Sequence, residues 1–349
     1  MRCLECGSDA TPVAKVIAYC ACCIRNKPEK VLPVIAKNRN TLGKVLPVQP
    51  IDAGRSVAIK RDNKSHRNKS DDGLVAMGFY DPMPANCTAS WMCPGTTDCG
   101  YPNYTENCGV EHGCKNLAVF TGGCNFDCPF CQCTIHEQME HTGRPRFSDE
   151  EIVSWVEKDT TCISFCGGTP DIQLPSINRI VRKMREQYPG RILRICAETN
   201  LTAPWKVLEE FARHAFETGG GLNIGLKGGS MAVHKALTSA PNDKVWRNMR
   251  KLYETFGGAT TVPLLRPCVL VVPGYIDEYE IRVIAERIVA IDECISLKLL
   301  PFYPRDRMID LPQTQVQDLK QLAKVAEHVG LRFVNPPSNK TVISERFIR

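Results

Sequence analysis

The stretch Phe120-Thr-Gly-Gly-Cys124-Asn-Phe-Asp-Cys128-Pro-Phe-Cys131-Gln-Cys133 decides how this chain is read. Three cysteines spaced Cys-x3-Cys-x2-Cys sit in a glycine-led loop directly after an apolar run. Such a loop can wrap three corners of a four-iron cube and leave one iron without a protein ligand. That vacancy is the chemical point. A fully ligated cluster transfers electrons, whereas an iron with an open position binds and activates a substrate or cofactor. Phe130, before the third cysteine, shields such a site by excluding water. Cys133, and Cys166 further on, read as spare buried thiols.

Working outward, β-branched apolar runs at 116–122, 161–166, 191–197, 221–227, 262–272 and 295–302 alternate with helical-period segments at 148–158, 173–187, 203–216, 242–256, 277–290 and 313–328. This βα rhythm predicts a parallel sheet with crossover helices, and six strands suggest an open barrel. Short polar or glycine-bearing motifs stand at the strand ends: Ile163-Ser-Phe-Cys-Gly167-Gly168-Thr169-Pro170, Arg194-Ile-Cys-Ala-Glu198-Thr199-Asn200, Gly221-Leu-Asn-Ile-Gly-Leu-Lys227, Arg266-Pro-Cys-Val-Leu-Val-Val-Pro273-Gly274 and Leu299-Leu-Pro-Phe-Tyr303-Pro. In barrels of this kind the C-terminal strand ends carry the active residues.

With the three-cysteine loop, this ordered set resembles the radical S-adenosylmethionine superfamily. It is most similar to the branch containing the pyruvate formate-lyase activating enzyme, from Asn116 to Leu331. The resemblance implies an α/β fold, a partial (βα)6 TIM-type barrel, and a [4Fe-4S] cluster on Cys124, Cys128 and Cys131. S-adenosylmethionine would chelate the fourth iron, and its reductive cleavage would give a 5′-deoxyadenosyl radical that abstracts hydrogen from a substrate. Cofactor contacts would come from Phe130, the backbone of Gly167 and Gly168, Thr169, Glu198 and Asn200 at the ribose, Lys227, Arg266 and Tyr303. The sequence departs from the family pattern where Thr169 replaces a glutamate, Gly225 stands where an aspartate is usual and Tyr303 takes the place of a histidine.

The remaining cysteines need a separate account, since the chain has 19. Cys3-x2-Cys6 and Cys20-x2-Cys23 have the spacing of two knuckles around one tetrahedral Zn2+. Cys87, Cys93, Cys99, Cys108 and Cys114 are irregularly spaced, and either a second metal site or scattered thiols fits them. A secreted disulfide framework is excluded by length, and neither a signal-peptide pattern nor an apolar run of ~18 residues is present, so a cytoplasmic protein without membrane contact is expected. The net charge of +6 gathers between Lys37 and Gly73, where nine basic residues face four acidic ones. The expected layout is a zinc-ribbon-like module at 1–30, a basic linker or extension at 31–86, a cysteine-rich segment at 87–115, the barrel at 116–335 and a tail at 336–349. Expected partners are an electron donor such as ferredoxin or flavodoxin and a protein or peptide substrate. RNA or another nucleic acid is the alternative substrate, suggested by the basic stretch. A non-catalytic iron-sulfur or zinc protein is the third reading, but a carrier has no need of Gly167, Gly168 and Glu198 in register with a cluster.

Overall fold

The computed structural model describes residues 1–41, 57–58, 73–85, 87–97, 102–107, 109–257 and 262–335. Its ten strands are β1 (Val57–Ala58), β2 (Leu74–Pro82), β3 (Lys115–Thr121), β4 (Arg146–Phe147), β5 (Thr160–Gly167), β6 (Arg194–Thr199), β7 (Gly221–Leu226), β8 (Leu265–Val271), β9 (Leu297–Pro301) and β10 (Val334–Asn335). Nine of them lie in the order β1-β2-β3-β5-β6-β7-β8-β9-β10, with β4 pairing β2. From β3 to β10 every neighbour is parallel, while β1 and β2 run antiparallel. All six expected parallel strands are present, and the sheet is an open, incomplete barrel.

Each strand has two unlike faces, as a period of two requires. On β5, Ile163 and Phe165 are fully buried, and Phe165 meets the ring of Phe211 on the crossover helix Trp205–Glu217. The alternate residues Cys162, Ser164 and Cys166 face the barrel interior. There Ser164 accepts a 3.0 Å bond from Asn116 of β3, and Cys162 lies 4.0 Å from Cys196 of β6, sulfur to sulfur. The crossover helices cover the outer face with apolar stripes. Leu174–Gln187 buries Leu174, Ile177, Ile180, Val181 and Met184, the i, i+3, i+7 spacing of one helix side.

Two features depart from the expected layout. The segment 31–86 contains part of the helix Pro28–Thr41 and the nine-residue strand β2, which extends the sheet past β3. The core of the basic stretch, 42–56 and 59–72, lies outside the described residues, as does the tail at 336–349. The described residues of 87–115 pack at the N-terminal strand ends of the barrel. Among them Glu111, fully buried, accepts from Arg194 at the start of β6 and from Thr161 at the start of β5. Cys87 reaches the interior, its sulfur 3.4 Å from Asn223 Nδ2, while Cys99 and Cys108 lie outside the described residues.

The N-terminal residues form a four-thiol knot that shares the barrel's core. The sulfurs of Cys3, Cys6, Cys20 and Cys23 all lie within 4.8 Å of one another. Burial pushes the Cys3 thiol up, but backbone amides of Cys6, Cys20 and Glu5 prevail and bring it to about 6. The knot docks on the loop after β8, where Tyr275 Oη accepts from Ala14 N at 2.9 Å and Arg25 pairs with Asp277 and Glu280. No helix among the described residues is long and apolar enough to cross a membrane.

Candidate active site

The three-cysteine loop leaves the C-terminal end of β3 and is held from two sides by main chain. Gly123 N donates to His136 O, Thr169 N to Gly123 O and Gly168 N to Thr121 O. Gly167 and Gly168 are required by this close approach. Gly167 has φ +111°, and a Cβ at Gly168 would lie 1.8 Å from the carbonyl oxygen of Gly123. The two glycines thus let the end of β5 touch the loop backbone directly, and the amides of Gly168 and Thr169 are engaged there. Gln173 closes the other side, its amide donating to the carbonyls of Val75 and Gly122.

Within the loop the thiols sit among groups suited to a sulfur anion. Phe126 N and Asn200 Nδ2 both lie 3.4 Å from the Cys124 sulfur, and His136 Nε2 lies 3.4 Å from that of Cys131. Burial pushes all three thiols up, Cys128 to about 11, and the Lys227 ammonium pulls Cys124 and Cys128 back only in part. The donors on Cys124 and Cys131 and the nearby ammonium are groups that would stabilise thiolates here. Phe126 and Phe130, within the loop, are buried, while the three cysteines are partly exposed.

Beneath the loop, the C-terminal strand ends bring together three of the expected side chains. Lys227 folds back over Gly225, where a Cβ would meet its Nζ at 2.8 Å. The small residue at the position of the usual aspartate therefore makes room for the ammonium. Glu198 is reachable by water yet enclosed by the barrel. Burial raises its pKa, with Lys227 opposing and Asp81 reinforcing the shift. Asn200 is buried and bridges Cys124 and Asn125. Tyr303 is partly exposed just after β9.

Two expected contacts are placed elsewhere. Thr169 is fully buried, and its hydroxyl donates to Asp171 instead of facing the barrel interior. Arg266 is the second residue of β8 and lies at the N-terminal end of the barrel, bonded to the carbonyls of Gly220 and Pro263. The sequence reading missed Asp171, whose buried carboxylate gathers Thr169 Oγ1, Thr199 Oγ1 and the amides of Asn200, Thr202 and Ala203. This knot locks the β6 end that presents Asn200 to Cys124. Its only local sign is an Asp two residues after Thr169, because its other partners lie 28 to 32 residues away along the chain.

Among known proteins, the family model described as the Radical SAM superfamily matches residues 118–267. A domain of the pyruvate-formate lyase-activating enzyme from Bacteroides vulgatus shares 21% identity, covering 50% of this chain and 98% of its own, with a TM-score of 0.40. A radical SAM methyltransferase from Sphaerobacter thermophilus shares 14% identity, covering 87% of this chain and 83% of its own, with a TM-score of 0.47. Streptococcus suis SuiB, solved with its precursor peptide SuiA, shares 11% identity, covering 64% of this chain and 49% of its own, with a TM-score of 0.45. No curated protein matches the chain significantly. The barrel topology, the three-cysteine loop at the C-terminal strand ends and the family match identify residues 118–267 as a Radical SAM superfamily domain.

Proposed function

We propose that this chain is a radical SAM enzyme that removes a hydrogen atom from a protein or peptide substrate. The observation that carries the reading is the convergence of Cys124, Cys128 and Cys131 with Asn200, Lys227 and Glu198 at one end of the barrel. Cys124, Cys128 and Cys131 would hold a [4Fe-4S] cluster, which with S-adenosylmethionine would supply the one-electron chemistry needed to break a substrate C–H bond. The chain's own residues do the rest. The Cys124, Cys128 and Cys131 sulfurs would ligate the irons, and Asn200 Nδ2 orients Cys124. Lys227 contributes positive charge beside the loop, which favours the anionic thiolates. Glu198 offers an acceptor for hydroxyls within the barrel, while the buried rings of Phe126 and Phe130 anchor the loop. Gly167 and Gly168 let the end of β5 pack directly on the loop backbone, and Tyr303 stands just after β9.

The peptide substrate is supported by the likeness of Val271-Val-Pro-Gly274 and Leu299-Leu-Pro-Phe302 to activating enzymes. A soluble electron donor of the ferredoxin or flavodoxin type would reduce the cluster, and Cys3, Cys6, Cys20 and Cys23 would hold zinc. Anaerobically reconstituted protein given dithionite and S-adenosylmethionine is expected to release methionine and 5′-deoxyadenosine, with one zinc per chain beyond the iron. A Cys128→Ala protein with the same yield refutes the reading. Transfer of deuterium from a labelled RNA, and from no peptide, replaces the peptide by a nucleic acid.

A further inference from the structure

Helix Pro28–Thr41 follows the short helix Ala21–Asn26, which carries Cys23 of the four-thiol knot, after a single residue, and ends against the cluster loop. There it delivers Arg39, which is 4% exposed. Its Nη1 donates to the carbonyl of Asp127, to Asp127 Oδ2 at 3.2 Å and to Ser239 Oγ at 2.9 Å, and its Nη2 donates to the carbonyl of Ala236. A second buried guanidinium, Arg307, takes the other side of the same carboxylate, Nη2 to Oδ1 at 2.5 Å. The backbone amide of Asp127 is bonded as well, to Thr238 O at 2.9 Å. Asp127 is therefore held at its amide, its carbonyl and both carboxylate oxygens, and the next residue is Cys128. Surface ion pairs do not need such a set, whereas a residue that must fix a metal-ligand loop does. Arg39 also lies within electrostatic reach of the Cys128 sulfur.

We propose that Arg39 is a positioning residue for the cluster loop: with Arg307 it fixes Asp127, thereby the Cys128 sulfur, and it places a positive charge beside the cluster. Through it, the N-terminal knot and the catalytic loop form one mechanical unit although 88 residues separate Arg39 from Asp127. The inference rests on the radical SAM reading of the three cysteines.

The test uses the full chain, reconstituted anaerobically, as wild type and as Arg39→Gln, Arg39→Lys and Asp127→Asn. Iron content, the rate of iron loss to a chelator, the EPR signal of the reduced cluster and its midpoint potential are read for each. Arg39→Gln is expected to take up iron normally, to lose it roughly ten-fold faster, as removal of a partner behind a ligand does, and to show a more negative potential. Arg39→Lys keeps the charge but not the fork, so its potential stays near wild type while its iron loss falls between the two. An Arg39→Gln protein with the wild-type rate, EPR signal and potential overturns the proposal. Should that variant fail to fold, Asp127→Asn decides: faster iron loss supports the proposal and an unchanged rate overturns it. Wild-type protein that binds no iron defeats the radical SAM reading itself, a result distinct from either.

Discussion

Asp171→Asn tests how the β6 end is held. In the native carboxylate, Oδ1 accepts from Thr202 N at 2.6 Å and Ala203 N at 2.8 Å, and Oδ2 accepts from the Thr169 and Thr199 hydroxyls and from Asn200 N at 3.1 Å. An amide has one acceptor oxygen, so its NH2 must face one side of this set. Turned toward Oδ2's partners it leaves Asn200 N only its longer 3.3 Å bond to Thr169 Oγ1, since the two hydroxyls can rotate to accept; turned the other way it orphans both Thr202 N and Ala203 N. The first is cheaper. It leaves one buried donor with only a weak acceptor, ~1–2 kcal/mol, and removes charge assistance from the rest, giving a loss of about 2–3 kcal/mol. Chemical denaturation of the reduced, metal-free protein under argon measures this as a lower midpoint at unchanged slope. The same variant should retain iron less well, because Asn200 is the donor to Cys124. A loss below about 1 kcal/mol with unaltered iron retention refutes the account, since a surface substitution does no more.

Two further outcomes are expected. Gly168→Ala forces its methyl against the Gly123 carbonyl, and the resulting overpacking costs ~1–3 kcal/mol and impairs iron uptake more than overall helix content, measured by iron assay beside circular dichroism. At the other end of the barrel, burial works against the Glu111 carboxylate, but Arg194, the Thr161 hydroxyl and Glu106 N hold its pKa below the usual value. Its stabilisation is therefore complete above the unfolded pKa of about 4.3 and lost as pH falls through the lowered folded value. Glu111→Gln, which leaves Arg194 buried without its counter-charge, should cost ~3–5 kcal/mol at neutral pH and flatten the acid limb of the stability profile relative to wild type.

Much of the fold was legible because its signals are local. The six strands and their crossover helices follow from the alternation of β-branched runs with amphipathic segments, and the boundaries in the structure differ by a few residues. Cys124, Cys128 and Cys131 are close in sequence, as are the paired thiols at Cys3 and Cys20, so their grouping can be read along the chain. β2 was missed because it sits behind a charged, glycine-bearing stretch and pairs with β3 across a separation of 35 residues, Asp81 to Asn116. Arg266 was misplaced for a different reason: alternation on β8 gives its face, but only the position of the strand start, Leu265, says which end of the barrel it occupies.

By itself the sequence determined which chemistry the chain can hold: a sulfur-rich loop after a strand, glycines where backbone meets backbone, and four thiols at zinc-knuckle spacing. Tertiary structure alone decided how that chemistry is held. Thr169 was turned from the site into the Asp171 knot, and Asp127 was clamped between Arg39 and Arg307, 88 residues before it and 180 after. The physical reason is common to both. A buried carboxylate must collect donors from whichever elements pack around it, and those elements are neighbours in the barrel but not along the chain.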